Sequence, residues 1–158
     1  MSNYDSIDLD FSWDGDFVEG IDGDLGDTRD DYIRSLESEI HSVMRSEVGD
    51  WELDPGVGAN LSDYRGEPNN RITATALEDR IVSRIVAIGI VKPEDVKCRV
   101  IPVGRHQTMA SLHVNATATP GNRLEPNEPL AINLLYDSLE DSIFFLDESQ
   151  TKRNARTF

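Results

Sequence analysis

The sequence predicts an α+β fold: a single domain built on a mostly antiparallel sheet flanked by two main helices. Three observations carry that expectation. Two stretches ahead of Gly89 place apolar side chains three and four positions apart, which is the spacing of one helix face. From Val96 onward the chain alternates apolar and polar residues, as half-buried strands do. A length of 158 residues with 38% hydrophobic content suits one core and leaves little for a second domain. The expected division is an acidic strand and turn region over 1–27, an α/β core over 28–146, and a loose polar tail over 147–158.

In the first region Leu9, Phe11, Trp13, Phe17, Val18, Ile21 and Leu25 alternate loosely with Asp and Gly, predicting short strands with turns at Asp14-Gly15 and Asp22-Gly23. Thr28 is positioned to cap the first helix, with Asp31 three residues on and Tyr32, Ile33, Leu36, Ile40, Val43 and Met44 at helical spacing. Gly49 is the expected terminator. The second helix should start at a cap on Asn69 or Asn70, bury Ile72, Ala76, Leu77, Ile81, Ile85 and Ile88, and stop at Gly89. Val96, Cys98 and Val100 predict the first strand of the sheet, and Leu112, Val114, Ala116 and Ala118 the second. After a Pro/Gly/Asn linker over 120–129, residues 130–136 predict a third strand, 137–141 a turn and 142–146 a fourth.

Charge and cysteine content narrow the function classes. A formal net charge of -15 argues against a phosphate-binding surface, so no nucleic-acid partner is expected. The acidity gathers at Asp5, Asp8, Asp10, Asp14, Asp16, Asp22, Asp24, Asp27, Asp30 and Asp31, a surface that is either solvated or meets a basic partner. No apolar run approaches the roughly 18 to 20 residues that span a bilayer, and the N-terminus has no signal-peptide pattern, so a soluble protein without a membrane partner is expected. Cys98 is the single cysteine and reads as a buried structural thiol in an apolar strand.

No candidate chemistry reaches a catalytic constellation. Glu52, Asp54 and Glu67 lie in the kind of loop where a glycosidase would place its carboxylate pair, but thirty acidic residues make such neighbours common. The Asp14-Gly15-Asp16 and Asp22-Gly23-Asp24 runs lack the register of a calcium loop and read as turns. His41, His106 and His113 have no metal-ligand neighbour at helical spacing; His41 is expected on the wet side or rim of its helix and His113 on the polar face of a strand. No nucleophile elbow and no phosphate-cradling glycine pattern is present. The expectation is therefore no enzyme, no catalytic residue, no cofactor and no metal.

Two features point instead to assembly. Residues 49–61 form a long connector whose glycines, proline and carboxylates exclude helix and strand, with Trp51, Leu53, Val57, Leu61 and Tyr64 as apolar anchors. Ile143, Phe144, Phe145 and Leu146 are four consecutive large apolar residues, read either as a strand buried on both faces or as a sheet edge that a partner covers.

The order of these features resembles the baseplate wedge, or sheath-initiator, family of contractile phage tails, with relatives in type VI secretion and other contractile injection systems. The likeness spans residues 16–136 and is carried by Gly49-Asp50, Asp54-Pro55, Gly58 and Leu61 after an amphipathic helix. A Glu-Pro-Arg run common in that family after the second helix is replaced here by Lys92-Pro93-Glu94. The resemblance implies a C-terminal hairpin like the handshake domain of the sheath subunit, and a structural virion protein present in six copies in the tail baseplate, assembled in the host cytoplasm. Its implied partners are the tail sheath protein, baseplate wedge proteins and nearby tube or hub proteins. On that reading Ile143, Phe144, Phe145 and Leu146 pair with a sheath strand, and Trp51, Leu53 and Tyr64 meet a wedge protein. The alternatives are a lysozyme-like peptidoglycan hydrolase and an acidic protein-binding module.

Overall fold

The structure, a computed structural model, describes residues 9, 16–20, 23–26, 32–89, 91–115 and 129–146. The Thr28 cap, the Asp14-Gly15 turn, Ala116, Ala118, the linker up to residue 128 and the tail over 147–158 lie outside the described residues, as does most of the region 1–27.

Helix α1 spans Tyr32–Arg45 and buries Leu36, Ile40, Val43 and Met44, the stripe that its spacing predicts. It does not end at Gly49. The chain leaves the helix four residues earlier, and the carbonyls exposed by that exit are taken by a returning loop: the Ala59 N–H donates to Val43 O and Ser46 O, both at 3.0 Å.

Helix α2 spans Arg71–Ala87. Asn70 is its cap, the side chain accepting from Ile72 N at 2.8 Å and Thr73 N at 3.0 Å. The neighbouring Asn69 instead ties the loop to the sheet, accepting from the Thr108 hydroxyl at 2.8 Å and donating to Gln107 O at 2.8 Å. Asn70→Ala should therefore cost about 1 kcal/mol in chemical denaturation, the usual value of a lost N-cap. The buried face is Ala74, Leu77, Ile81 and Ile85. Ile72, expected on that face, is 81% exposed, and Ala76 is exposed as well, because both stand well off the Leu77–Ile81–Ile85 stripe at about 100° per residue. Gly89, with a φ of 83°, follows the helix where expected.

The sheet is a four-stranded antiparallel meander of β1 (Val96–Pro102), β2 (Gln107–Asn115), β3 (Pro129–Asp137) and β4 (Ser142–Leu146), in spatial order β1-β2-β3-β4. Val100, Ala110, Leu134 and Phe145 stand opposite one another in register across the four strands. With Val96, Leu112, Val114, Leu130, Ile132 and Tyr136 they form the face that meets both helices in one core. The run 143–146 is thus buried on one face only. Phe145 points into the core, Ile143 is half-buried, and Phe144 and Leu146 project from the opposite face, 50% and 44% exposed.

Antiparallel pairing alternates between bonded and non-bonded residue pairs, so one known phase sets the others. Val103 N donates to Gln107 O and Ser138 N to His106 O, continuing the β1–β2 and β2–β3 registers. Carried across the sheet, that phase has Ser142, Phe144 and Leu146 bonding to β3, and turns the main-chain groups of Ile143 and Phe145 outward.

Candidate interaction site

The loop after α1 is built by reciprocal bonds. Asp50 accepts from Glu47 N at 2.8 Å through its carboxylate and donates its own N–H to Glu47 O at 3.1 Å. Gly49 N reaches Pro55 O at 2.9 Å, Val57 N reaches Asp54 O at 3.1 Å, and the Asn60 side chain accepts from Val48 N. Asn60 itself has a φ of 50°, a left-handed conformation that asparagine tolerates. Gly49, Asp50, Asp54, Pro55 and Gly58 therefore each serve the folding of this loop, and Leu61 is buried at its end.

Of the expected anchors, Val57, Leu61 and Tyr64 pack on the core, whereas Trp51 and Leu53 do not. Leu53 is 100% exposed, and the half-exposed Trp51 is tethered through its indole N–H, which donates to Ser46 Oγ at 2.9 Å. Both project where a partner can reach them. Tyr64 is half-buried, donates its hydroxyl to Ala76 O at 3.0 Å and lies under Arg80, which pairs with Asp63 at 3.1 Å. Its ring belongs to the body of the protein. Tyr136 fastens the same segment from the sheet side: its buried hydroxyl donates to Leu61 O at 2.8 Å and lies 3.1 Å from Asp141. Burial, then the bond to Asp141, raises its pKa above the ordinary phenol value, so the hydroxyl keeps its proton.

At the sheet edge, Phe145 is clasped by α1. The His41 ring lies 3.9 Å from the Phe145 ring and the Arg45 guanidinium 4.9 Å above it. His41 is therefore at the rim of its helix, in contact with the sheet. On its outer side β4 has no strand neighbour among the described residues.

The opposite edge is different. Glu78 reaches from α2 and accepts from the Val100 N–H at 3.2 Å, occupying an outward donor of β1. Pro102 ends the same strand and has no N–H to offer. Such covering is how sheets avoid unintended edge pairing. Glu78 is a residue the sequence reading missed, since a helix carboxylate gives no local sign of which strand it meets.

Beside Glu78 an open groove of about 600 Å³ runs between α2 and β1, with Val82, Val86, Val96 and Cys98 in its lining. Burial, then the Glu78 charge, pushes the Cys98 thiol up to about 12. The thiolate is the reactive form, so iodoacetamide at pH 8 should label native Cys98 about a thousandfold more slowly than the unfolded chain. A matching rate in the two states would contradict this placement.

Glu52, Asp54 and Glu67 are all exposed. Glu67 borders a cleft of about 10 Å³ shared with Asn69, Thr108, Tyr136 and Ser138, enough for about one water and far too small for a sugar ring. His113 is exposed, 3.4 Å from Ser111 Oγ. Among the described residues no three His, Cys, Asp or Glu side chains gather as a metal site, and no helix is long and apolar enough to cross a membrane.

No protein-family model matches the chain, and no curated protein matches it.

Proposed function

We propose that this chain is a structural assembly protein that takes a partner strand at the outer edge of β4, in the manner of a sheath initiator in a contractile tail baseplate. The observation that supports it most is the asymmetry of the two sheet edges. The β1 edge has Glu78 on the Val100 N–H and a proline at its end. The β4 edge turns the main-chain groups of Ile143 and Phe145 outward, while the Phe145 side chain is already held by His41 and Arg45. An incoming strand would gain main-chain hydrogen bonds there without disturbing the core, and Phe144 and Leu146 would offer side-chain contacts for specificity.

On this reading the β3–β4 hairpin plays the part of the sheath subunit's handshake hairpin, with the tail sheath protein adding to it. The exposed Trp51 and Leu53 dock a wedge protein, close to tube or hub proteins, in a baseplate holding six copies. The test is reconstitution. Purified chain added to soluble cognate sheath protein should shorten the lag of sheath polymerisation seen by light scattering and electron microscopy, with little dependence on salt. Polymerisation with an unchanged lag would overturn the proposal.

A further inference from the structure

The sheet face turned away from the helices carries an apolar band. Ile101, Met109, Leu135 and Phe144 stand opposite one another in register across all four strands, and Leu146 continues the band beside Phe144. Ile101, Phe144 and Leu146 are exposed, and Met109 and Leu135 are half-buried at the centre. The β1 end of this face is basic. Lys97 and Arg99 project from it, exposed and in no ion pair among the described residues, in a chain whose net charge is -15. A cationic margin beside an apolar band selects an acidic, apolar partner.

That chemistry is present in the chain itself. Residues 18–20 and 23–26 pair as a small hairpin in which Glu19 stands opposite Leu25, Gly26 N donates to Val18 O at 2.6 Å, and Gly20 N donates to Asp24 O at 2.8 Å. Phe17 lies two residues before Glu19 and shares its face, because side chains alternate along an extended strand. The hairpin thus presents half-exposed Phe17 and Leu25 with the exposed carboxylate of Glu19 beside them. The segment around it, residues 1–31, holds eleven acidic residues and a single basic one, Arg29.

We propose that the hairpin of one copy docks on the open sheet face of another, with Phe17 and Leu25 on the Met109–Leu135–Phe144 band and Glu19 facing Lys97 and Arg99. The contact is placed between copies because Phe17, Leu25, Phe144 and Leu146 each keep about half of their surface exposed within one chain. Two different patches meet, so the contact is heterologous: a pair of copies keeps one unused hairpin and one unused face, and the series closes into a ring or grows as a filament. It uses the side chains of the open face, whereas strand pairing uses the main chain of the β4 edge.

Sedimentation velocity on the full chain tests it. The wild-type protein should form species larger than a monomer as concentration rises, and these should weaken as salt increases. A variant with Phe17→Ser and Leu25→Ser, and a second with Phe144→Ser, should each be monomeric with unchanged circular dichroism. Mixed, the two should form a dimer and nothing larger, because the first supplies the intact face and the second the intact hairpin. Lys97→Glu, at an exposed position that leaves the core untouched, should weaken self-association about tenfold or more, and Glu19→Lys in the same chain should restore part of it. A wild-type chain that stays monomeric at every concentration, or association unchanged in the Phe17→Ser, Leu25→Ser variant, would overturn the proposal.

Discussion

Replacing Gly58 with alanine should cost about 3 kcal/mol or more of folding free energy, seen as a melting temperature lower by on the order of 10 °C. Gly58 has a φ of 142°, a conformation that is nearly restricted to glycine. A Cβ added there would lie 2.4 Å from the Glu47 carbonyl carbon, 2.6 Å from Val48 N and 2.8 Å from Glu47 O. All three are backbone atoms, so no side-chain rotation relieves the overlap. Moving the loop outward would break the Ala59 bonds to Val43 O and Ser46 O that close the end of α1, and the Asn60 bond to Val48 N. Gly66→Ala provides the control. Its φ of 78° is also positive, but a Cβ there meets nothing within 4 Å, so the cost should stay near 1 kcal/mol. Equal losses at the two sites would refute the close approach of residues 47, 48 and 58.

Ile143→Pro should weaken strand addition about tenfold or more while leaving the protein folded. The Ile143 N–H points away from β3, so proline removes no bond of the existing sheet and is tolerated at an edge. Loss of a half-buried isoleucine should cost about 1 kcal/mol. For a partner strand, the variant lacks one edge donor and presents a pyrrolidine ring in its place, so affinity should fall by about tenfold or more. Phe144→Pro provides the contrast. Its N–H bonds to β3 opposite Leu135, so the same substitution one residue on should detach β4, and its loss of binding would come with loss of fold. Isothermal titration with the partner, beside thermal melts of both variants, separates the two outcomes.

Much of this architecture was legible in local spacing. The stripe Leu36, Ile40, Val43, Met44 and the alternation that carries Val96, Val100, Leu112 and Val114 foretold which of these side chains are buried, because helical and extended periods leave distinct traces. Local spacing was less informative where one short pattern served two outcomes. Adjacent asparagines at 69 and 70 are equivalent caps on paper, and only the position of Thr108 in space assigns Asn69 to the sheet. Ile72 fits the apolar content of α2 but not the phase of its buried stripe. Gly49 has the sequence signature of a helix stop, yet the helix ends at the loop's return through Ala59, a contact between residues sixteen apart.

The candidate site divides in the same way. The apolar run 143–146 flagged the edge strand, and the structure resolved it into two faces. The guard at Glu78, the clasp of His41 and Arg45 on Phe145, and the band from Ile101 to Phe144 all depend on strand order, which no single segment encodes. The loop motif that suggested a family is accounted for by loop geometry: Gly49, Asp50, Asp54, Pro55 and Gly58 close the turn, and Leu61 is buried. That motif speaks to the fold of the connector, and the proposed assembly role rests on the edge.

Amide hydrogen exchange on the chain with and without the proposed sheath partner tests the central claim most directly. The amides of Ile143 and Phe145 should exchange rapidly in the free protein and become protected in the complex, while Val100, already bonded to Glu78, should not change. Protection that appears at the β1 edge instead, or a complex in which Ile143 and Phe145 still exchange as in the free chain, would contradict the account.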